Sequence, residues 1–228
     1  VLDIVILPAP RSAGDVSLES AILKRRSRRH FLPSPVSDSQ ISQILWAAYG
    51  YKDPSAGQKT GRGVRTCPSA GALYPLEIYL VAGSVDGIER GLYNYIPAEH
   101  TLRRINRTNQ QPGEEFQPNE ASQPGEDIRP ALYIACRNQG MILQAPATLL
   151  YTIIYSRVTA RYGDRGIHRY VPMDIGHSAQ NVYLQAEAMG LGTCAVGAFD
   201  DARVKEVIGL PDDEEPLYLL PIGVPSQV

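Results

Sequence analysis

Apolar positions recur along the chain with helical spacing in some segments and as short continuous runs in others, and this divides it into elements. From Ser17 to Arg26, Leu18, Ala21 and Ile22 share one side of a helix. Ser17 is a suitable N-cap, and the basic residues gather at the C-terminal end, where the helix dipole favours them. Pro33 and Pro35 break the chain. A second helix then starts at Ser37 or Asp38, carries Ile41, Ile44, Leu45 and Ala48 on one face, and ends at Gly50. Residues 52–66 are polar and glycine-rich, the composition of a mobile loop. After P-S-A-G-A-L-Y-P (Pro68 to Pro75), strands are predicted at Glu77 to Val81, Leu92 to Tyr95 and Leu102 to Ile105. Residues 106–126, rich in Gln, Pro, Asn and Glu, read as a second mobile loop on the surface.

The second half is more regular. A helix is predicted across Asp127 to Leu143, and a buried strand across Ala147 to Tyr155, where the apolar run is continuous. The longest periodic segment is Met173 to Met189, with Ile175, Ala179, Val182, Ala186 and Met189 as the stripe of an amphipathic helix. Gly190 and Gly192 stop it. A short strand (Thr193 to Val196), a helix (Asp201 to Ile208) and a final strand (Leu217 to Val224) follow. Helices and strands mix without a regular βαβ repeat, which predicts one α+β layered domain over residues 1–228, with 1–16 as an N-terminal extension.

Composition narrows the classes of function. Apolar residues make up 43% of the chain, enough for an ordinary globular core, and the formal charge of −2 argues against a polyanion binder. No apolar run approaches the roughly 18 residues of a membrane span. The opening VLDIVILPAPRSAG is short and lacks a basic leader, so a cytoplasmic location is expected. Cys67, Cys136 and Cys194 are too far apart for a disulfide framework or a zinc site, and the four histidines form no ligand pattern. No metal is expected.

Three motifs could carry chemistry. R-R-S-R-R-H-F (Arg25 to Phe31) places four guanidinium groups and a hydroxyl at a helix end, a set that matches phosphate oxygens. It is equally a solvated basic helix end; a nucleic-acid contact lacks an aromatic platform or basic face to support it. G-L-G-T-C-A-V-G (Gly190 to Gly197) follows a helix and precedes a strand, the reverse of a dinucleotide fingerprint. It is either a helix cap with close packing or a backbone that passes near a planar ring. P-S-A-G-A-L-Y-P is a turn into a strand whose small residues leave main-chain groups free to approach a ligand.

In this order, the motifs resemble the nitroreductase-like flavoprotein family from about Ser17 to Pro225. R-R-S-R-R-H-F, P-S-A-G-A-L-Y-P-L-E-I-Y-L, R-Y-G-D-R-G-I-H-R-Y and D-I-G-H-S-A-Q-N-V-Y-L-Q-A are similar to the SagB-type dehydrogenases, whose peptide-tailoring members oxidise azolines to azoles. The resemblance implies a three-layer α/β/α sandwich around a mixed, largely antiparallel sheet. It implies a homodimer with FMN at the subunit interface, and NAD(P)H as a transient donor in the same cleft. By motif position, Arg25, Arg26, Ser27 and Arg29 would hold the phosphate, ribityl chain and pyrimidine edge. Arg29 would stabilise the reduced flavin. Pro68, Ser69, Ala70 and Gly71 match the turn that reaches the cofactor from the partner subunit, Gln139 or neighbouring Asn138 the polar contact at the flavin edge, and Ala195, Val196, Gly197 and Ala198 the backbone beside N5.

Two departures stand out. P-I-G-V-P-S-Q-V carries none of the basic residues that assist phosphate binding near the C-terminus of many members. Where azoline-oxidising relatives are associated with a Lys-Tyr pair, this sequence has Arg161-Tyr162 and Arg169-Tyr170. Arginine is a poor base, which leaves Tyr162 as the candidate proton donor beside its reading as a packed tyrosine. The substrate expected is a small molecule or peptide. The competing functions are NAD(P)H-driven reduction of quinones or nitroaromatics, and a flavin- or partner-binding subunit without turnover.

Overall fold

The structure, a computed structural model, describes residues 4–53, 64–105 and 126–226. The strands are β1 (Ile4–Ile6), β2 (Val36–Ser37), β3 (Leu76–Ala82), β4 (Val85–Asp86), β5 (Gly91–Ile96), β6 (Thr101–Arg104), β7 (Ala147–Ile154), β8 (Gly192–Thr193) and β9 (Glu214–Gly223). The helices are α1 (Leu18–Lys24), α2 (Asp38–Tyr49), α3 (Arg129–Ala135), α4 (Met141–Gln144), α5 (Ser156–Tyr162), α6 (Val171–Ala188) and α7 (Asp201–Ile208). A seven-stranded sheet runs in the order β1-β6-β5-β3-β7-β9-β8, every pair antiparallel. β2 and β4 form a small parallel pair apart from it.

Alternate residues of the central strands feed two separate cores. Ile78, Leu80, Leu149, Tyr151, Ile153, Leu220 and Ile222 pack with α2 and α6. Tyr79, Val81, Leu150 and Leu219 pack with α3, α4 and α7. Both faces of the sheet are therefore covered, giving three layers. That is why β3 and β7 read as continuous apolar runs rather than as the alternating pattern of a half-exposed strand.

Local chemistry sets the helix ends. Ser37 and Gln40 form a reciprocal capping box at the start of α2. Asp200 caps α7, which ends at Gly209 in the left-handed conformation (φ 69°). The stripe of α6 is spent on the chain's own core, with Ala179, Val182 and Ala186 buried. On α1 only Ala21 is buried; Leu18, Ile22 and Leu23 are 60%, 55% and 83% exposed, so its expected apolar side is left uncovered.

Three expectations are corrected. The single helix across Asp127 to Leu143 is two, because Arg137 and Asn138 take left-handed φ values of 55° and 58° and break the ladder between α3 and α4. The strand at Thr193 to Val196 is only two residues long, with Val196 bridging singly to Leu219. Residues 156–170, given no element by the sequence pattern, form α5 and a π-helical turn (Gly166–Tyr170) leading into α6. Most of both expected loops lies outside the described residues. The stem of the first is paired, Lys52 N–H donating to the Val64 carbonyl at 2.9 Å.

Candidate active site

The arginine motif leaves α1 as an extended segment against β8. Ser27 bridges in parallel to Thr193, and Arg28 N–H donates to the Thr193 carbonyl at 2.9 Å. One phenol organises this junction. Tyr183, on α6, accepts from the Ala195 amide at 2.7 Å and hydrogen-bonds Ser27 Oγ at 3.2 Å, while the Arg25 guanidinium lies 5.3 Å from its ring centroid. Val196 is fixed by paired backbone bonds with Leu219, leaving Gly197 and Ala198 exposed. Gln139 follows the left-handed pair Arg137–Asn138. Its side-chain amide donates to the carbonyls of Ala198 (2.8 Å) and Cys136 (2.9 Å). Arg25, Ser27, Arg29, Gln139 and Ala195 to Ala198 thus gather around one junction; burial raises the pKa of the Cys194 thiol there, partly offset by the Arg29 charge.

Arg26 to His30 and Ser226 line an open pocket of about 320 Å³. Among the described residues no carboxylate pairs with Arg25, Arg26, Arg28 or Arg29. Arg28 Nε and Thr193 Oγ1 are buried without a hydrogen-bond partner. An uncompensated cluster of guanidinium groups carrying a desolvated N–H fits an anionic ligand.

The P-S-A-G turn is built separately. Gly71, Ala72 and Tyr74 have φ of 63°, 53° and 48°, a strained run held from outside by Asp174. This carboxylate is 3% exposed and accepts from Ser69 Oγ at 2.5 Å and from the Ala70 amide at 3.1 Å; burial raises its pKa. The Ser69 hydroxyl also accepts from Tyr74 N–H at 3.0 Å, so it is committed to the turn. Pro68 is exposed at its edge. Tyr162 comes to the same place: a Cβ on Gly71 would lie 2.6 Å from its hydroxyl. Asp174 and Tyr183 are nine residues apart on α6, or about 14 Å along its axis. Within one chain the arginine group and the P-S-A-G group are thus anchored separately.

Sequence reasoning missed Tyr183 and Asp174 as anchors. Both lie in the D-I-G-H-S-A-Q-N-V-Y-L-Q-A motif, the one signal available, but their partners are 156 and 105 residues away.

The profile of the family described as the Nitroreductase family matches residues 22–224. The chain belongs to that family. MJ1384 of Methanocaldococcus jannaschii, named as a nitroreductase, is 42% identical over 209 residues, covering 92% of this chain and 91% of that one. The Escherichia coli microcin B17-processing protein McbC is 25% identical over 176 residues, 75% of this chain but only 55% of McbC. The FMN reductase (NADPH) of Bacillus subtilis is 38% identical over 58 residues, 25% of this chain and 23% of the reductase. Among solved structures, one from Anabaena variabilis, also named as a nitroreductase, has a TM-score of 0.71 at 28% identity, covering 92% of this chain and 38% of its own. Another, from Ralstonia eutropha, has a TM-score of 0.76 at 24% identity, covering 99% and 90%, and speaks for the fold. Membership of this family makes the protein an oxidoreductase. Among the described residues no helix is long and apolar enough to cross a membrane.

Proposed function

We propose that the protein is a SagB-type dehydrogenase-like member of its family that works as a homodimer, each FMN held by the arginine junction of one subunit and the P-S-A-G turn of the other. The observation that carries this is the junction itself, where Tyr183 ties the unpaired arginine segment to the Ala195 amide and Gln139 holds the exposed Ala198 carbonyl at its edge. Bound there, FMN supplies hydride exchange at N5. Arg25, Arg26, Ser27 and Arg29 would hold the phosphate, ribityl chain and pyrimidine edge, and the fixed charge of Arg29 would favour negative charge on the ring. Ala195 to Ala198 shape the wall beside the ring. Pro68 to Gly71 enclose the site from the second copy, and Tyr162 OH delivers or accepts the substrate proton.

Separate anchoring of the two groups on α6 supports the shared site. So does the uncovered side of α1, where Val16, Leu18, Ala21, Trp46 and Leu184 line an apolar groove of about 660 Å³ suited to a second copy. The quoted motifs and the likeness to McbC favour oxidation of a peptide heterocycle or similar carbon–nitrogen centre. A second reading, NAD(P)H-driven reduction of quinones or nitroaromatics, is favoured by arginine in place of lysine before Tyr162.

An absorbance spectrum of the purified protein, with mass spectrometry of what denaturation releases, tests the cofactor. Flavin bands with released FMN are expected; a colourless protein that takes up no added FMN rejects the site. Steady-state NAD(P)H oxidation with a quinone at ordinary reductase rates would favour the second reading over the first. A monomer at micromolar concentration, by light scattering, rejects the shared site.

A further inference from the structure

The segment between β7 and α6 carries charge that the site so far does not use. Arg157 is paired with Glu77, but Arg161, Arg165 and Arg169 have no ion pair among the described residues, and all three are exposed. Asp164 is the one acidic residue between Ser156 and Tyr170. Two of these arginines are pre-positioned. The Arg161 guanidinium lies 5.4 Å from the Tyr162 ring centroid, and that of Arg165 lies 5.8 Å from the Tyr170 ring, with its Nε donating to Tyr170 OH at 3.0 Å. The two rings meet edge-on at 4.7 Å, which joins the four side chains into one row. The row abuts the P-S-A-G turn, since a Cβ on Gly71 would lie 3.2 Å from Arg161 Nη1.

We propose that Arg161 and Arg165 form the recognition site for an acidic group on the second substrate of the flavin centre. Each guanidinium is held beside a tyrosine ring, which restrains its rotamers, and the Nη groups of Arg165 stay free while its Nε is fixed to Tyr170, so little freedom is lost when they close on a carboxylate, sulfonate or phosphate. With no carboxylate partner among the described residues, the positive charge is available to an incoming anion. The position beside Gly71 holds that anion at the mouth of the cofactor site, so this inference rests on the flavin assignment above. The acidic group belongs either to an electron acceptor or to a nucleotide donor, and the same chemistry serves both.

The test is calorimetric titration of the purified full chain with matched pairs: 1,2-naphthoquinone-4-sulfonate against 1,2-naphthoquinone, and 2′,5′-ADP against adenosine. In one pair the charged member is expected to bind about tenfold tighter, and each of Arg161→Ala and Arg165→Ala to weaken it about three- to tenfold. The double variant should lose the preference while binding the neutral member unchanged, and Arg161→Lys should retain part of it. Rising salt should shrink the preference. Discrimination in the quinone pair identifies an acceptor; discrimination in the adenosine pair identifies a donor. Equal binding of charged and neutral members by the unmodified protein overturns the proposal, as does a folded double variant that keeps the preference. Failure to bind FMN, read separately by absorbance, would reject the flavin assignment, while these titrations would still decide the anion site.

Discussion

Replacing Tyr183 with phenylalanine removes one oxygen and leaves the ring, so the stack with Arg25 is retained and only two hydrogen bonds are lost. The 2.7 Å bond from the Ala195 amide is the costly one. Ala195 is half-buried, and a donor left unsatisfied there costs about 1–2 kcal/mol. The 3.2 Å contact with Ser27 is longer and half-exposed, worth about 0.5 kcal/mol. The sum, about 1.5–2.5 kcal/mol, should appear as a lower urea midpoint at unchanged slope in FMN-free protein at fixed concentration. Ser27→Ala alone should cost about 0.5 kcal/mol and add little to Tyr183→Phe, because both delete the same bond. Since that oxygen ties the arginine segment to the Ala195 backbone, FMN affinity should fall about tenfold in a fluorescence titration. A Tyr183→Phe protein within about 0.3 kcal/mol of the parent and with unaltered FMN affinity would refute the reasoning.

Gly71→Ala should destabilise the fold by about 1–2 kcal/mol through its left-handed backbone, with an added clash at Tyr162 OH; pairing it with Tyr162→Phe should restore part of the loss in the same urea assay. Gly192→Ala would place a Cβ 2.7 Å from Arg28 Cβ and Cγ, displacing the arginine segment, and should weaken FMN binding more than overall stability. His100 sits between Ser42 Oγ (2.7 Å) and Tyr95 OH (2.8 Å), and burial lowers its pKa from 6.5. A lowered folded pKa means that the unfolded chain binds the proton first. Stability is therefore complete above about pH 6.5 and declines as pH falls toward the folded value, and His100→Gln should flatten that slope. Cys67 and Cys136, buried and pushed up to about 12, should stay unreactive toward an aromatic disulfide reagent at pH 8, and all three thiols should react after unfolding; rapid native labelling would contradict the burial.

What could be read beforehand followed local rules. α2 and α7 were legible because their caps and their apolar periods lie within a dozen residues. β3 and β7 were legible as apolar runs, although the reason for the runs, cores on both faces, is tertiary. The break at Arg137–Asn138 was hidden because neither residue demands a left-handed conformation; contact between Gln139 and the Ala198 carbonyl accompanies it. α5 and the π-turn carry charges and tyrosines at positions with no clean period, so no stripe announced them. Ser69 illustrates the limit on the site: its motif marks the turn correctly, yet its hydroxyl is occupied by Asp174, a partner that only the fold could supply. Family resemblance nominated the two groups, while their separate anchoring on one helix had to come from the structure.

That division makes α6 a gauge between two pieces of machinery. A residue inserted or deleted between Asp174 and Tyr183 would swing one anchor about 100° around the axis and shift it about 1.5 Å, turning either the P-S-A-G turn or the arginine segment away from its support. Adding a whole turn would restore the facing but leave the anchors about 5 Å too far apart. Length changes in this protein's lineage should thus be confined to its connecting segments, with the spacing from Asp174 to Tyr183 held constant even where the residues between them drift.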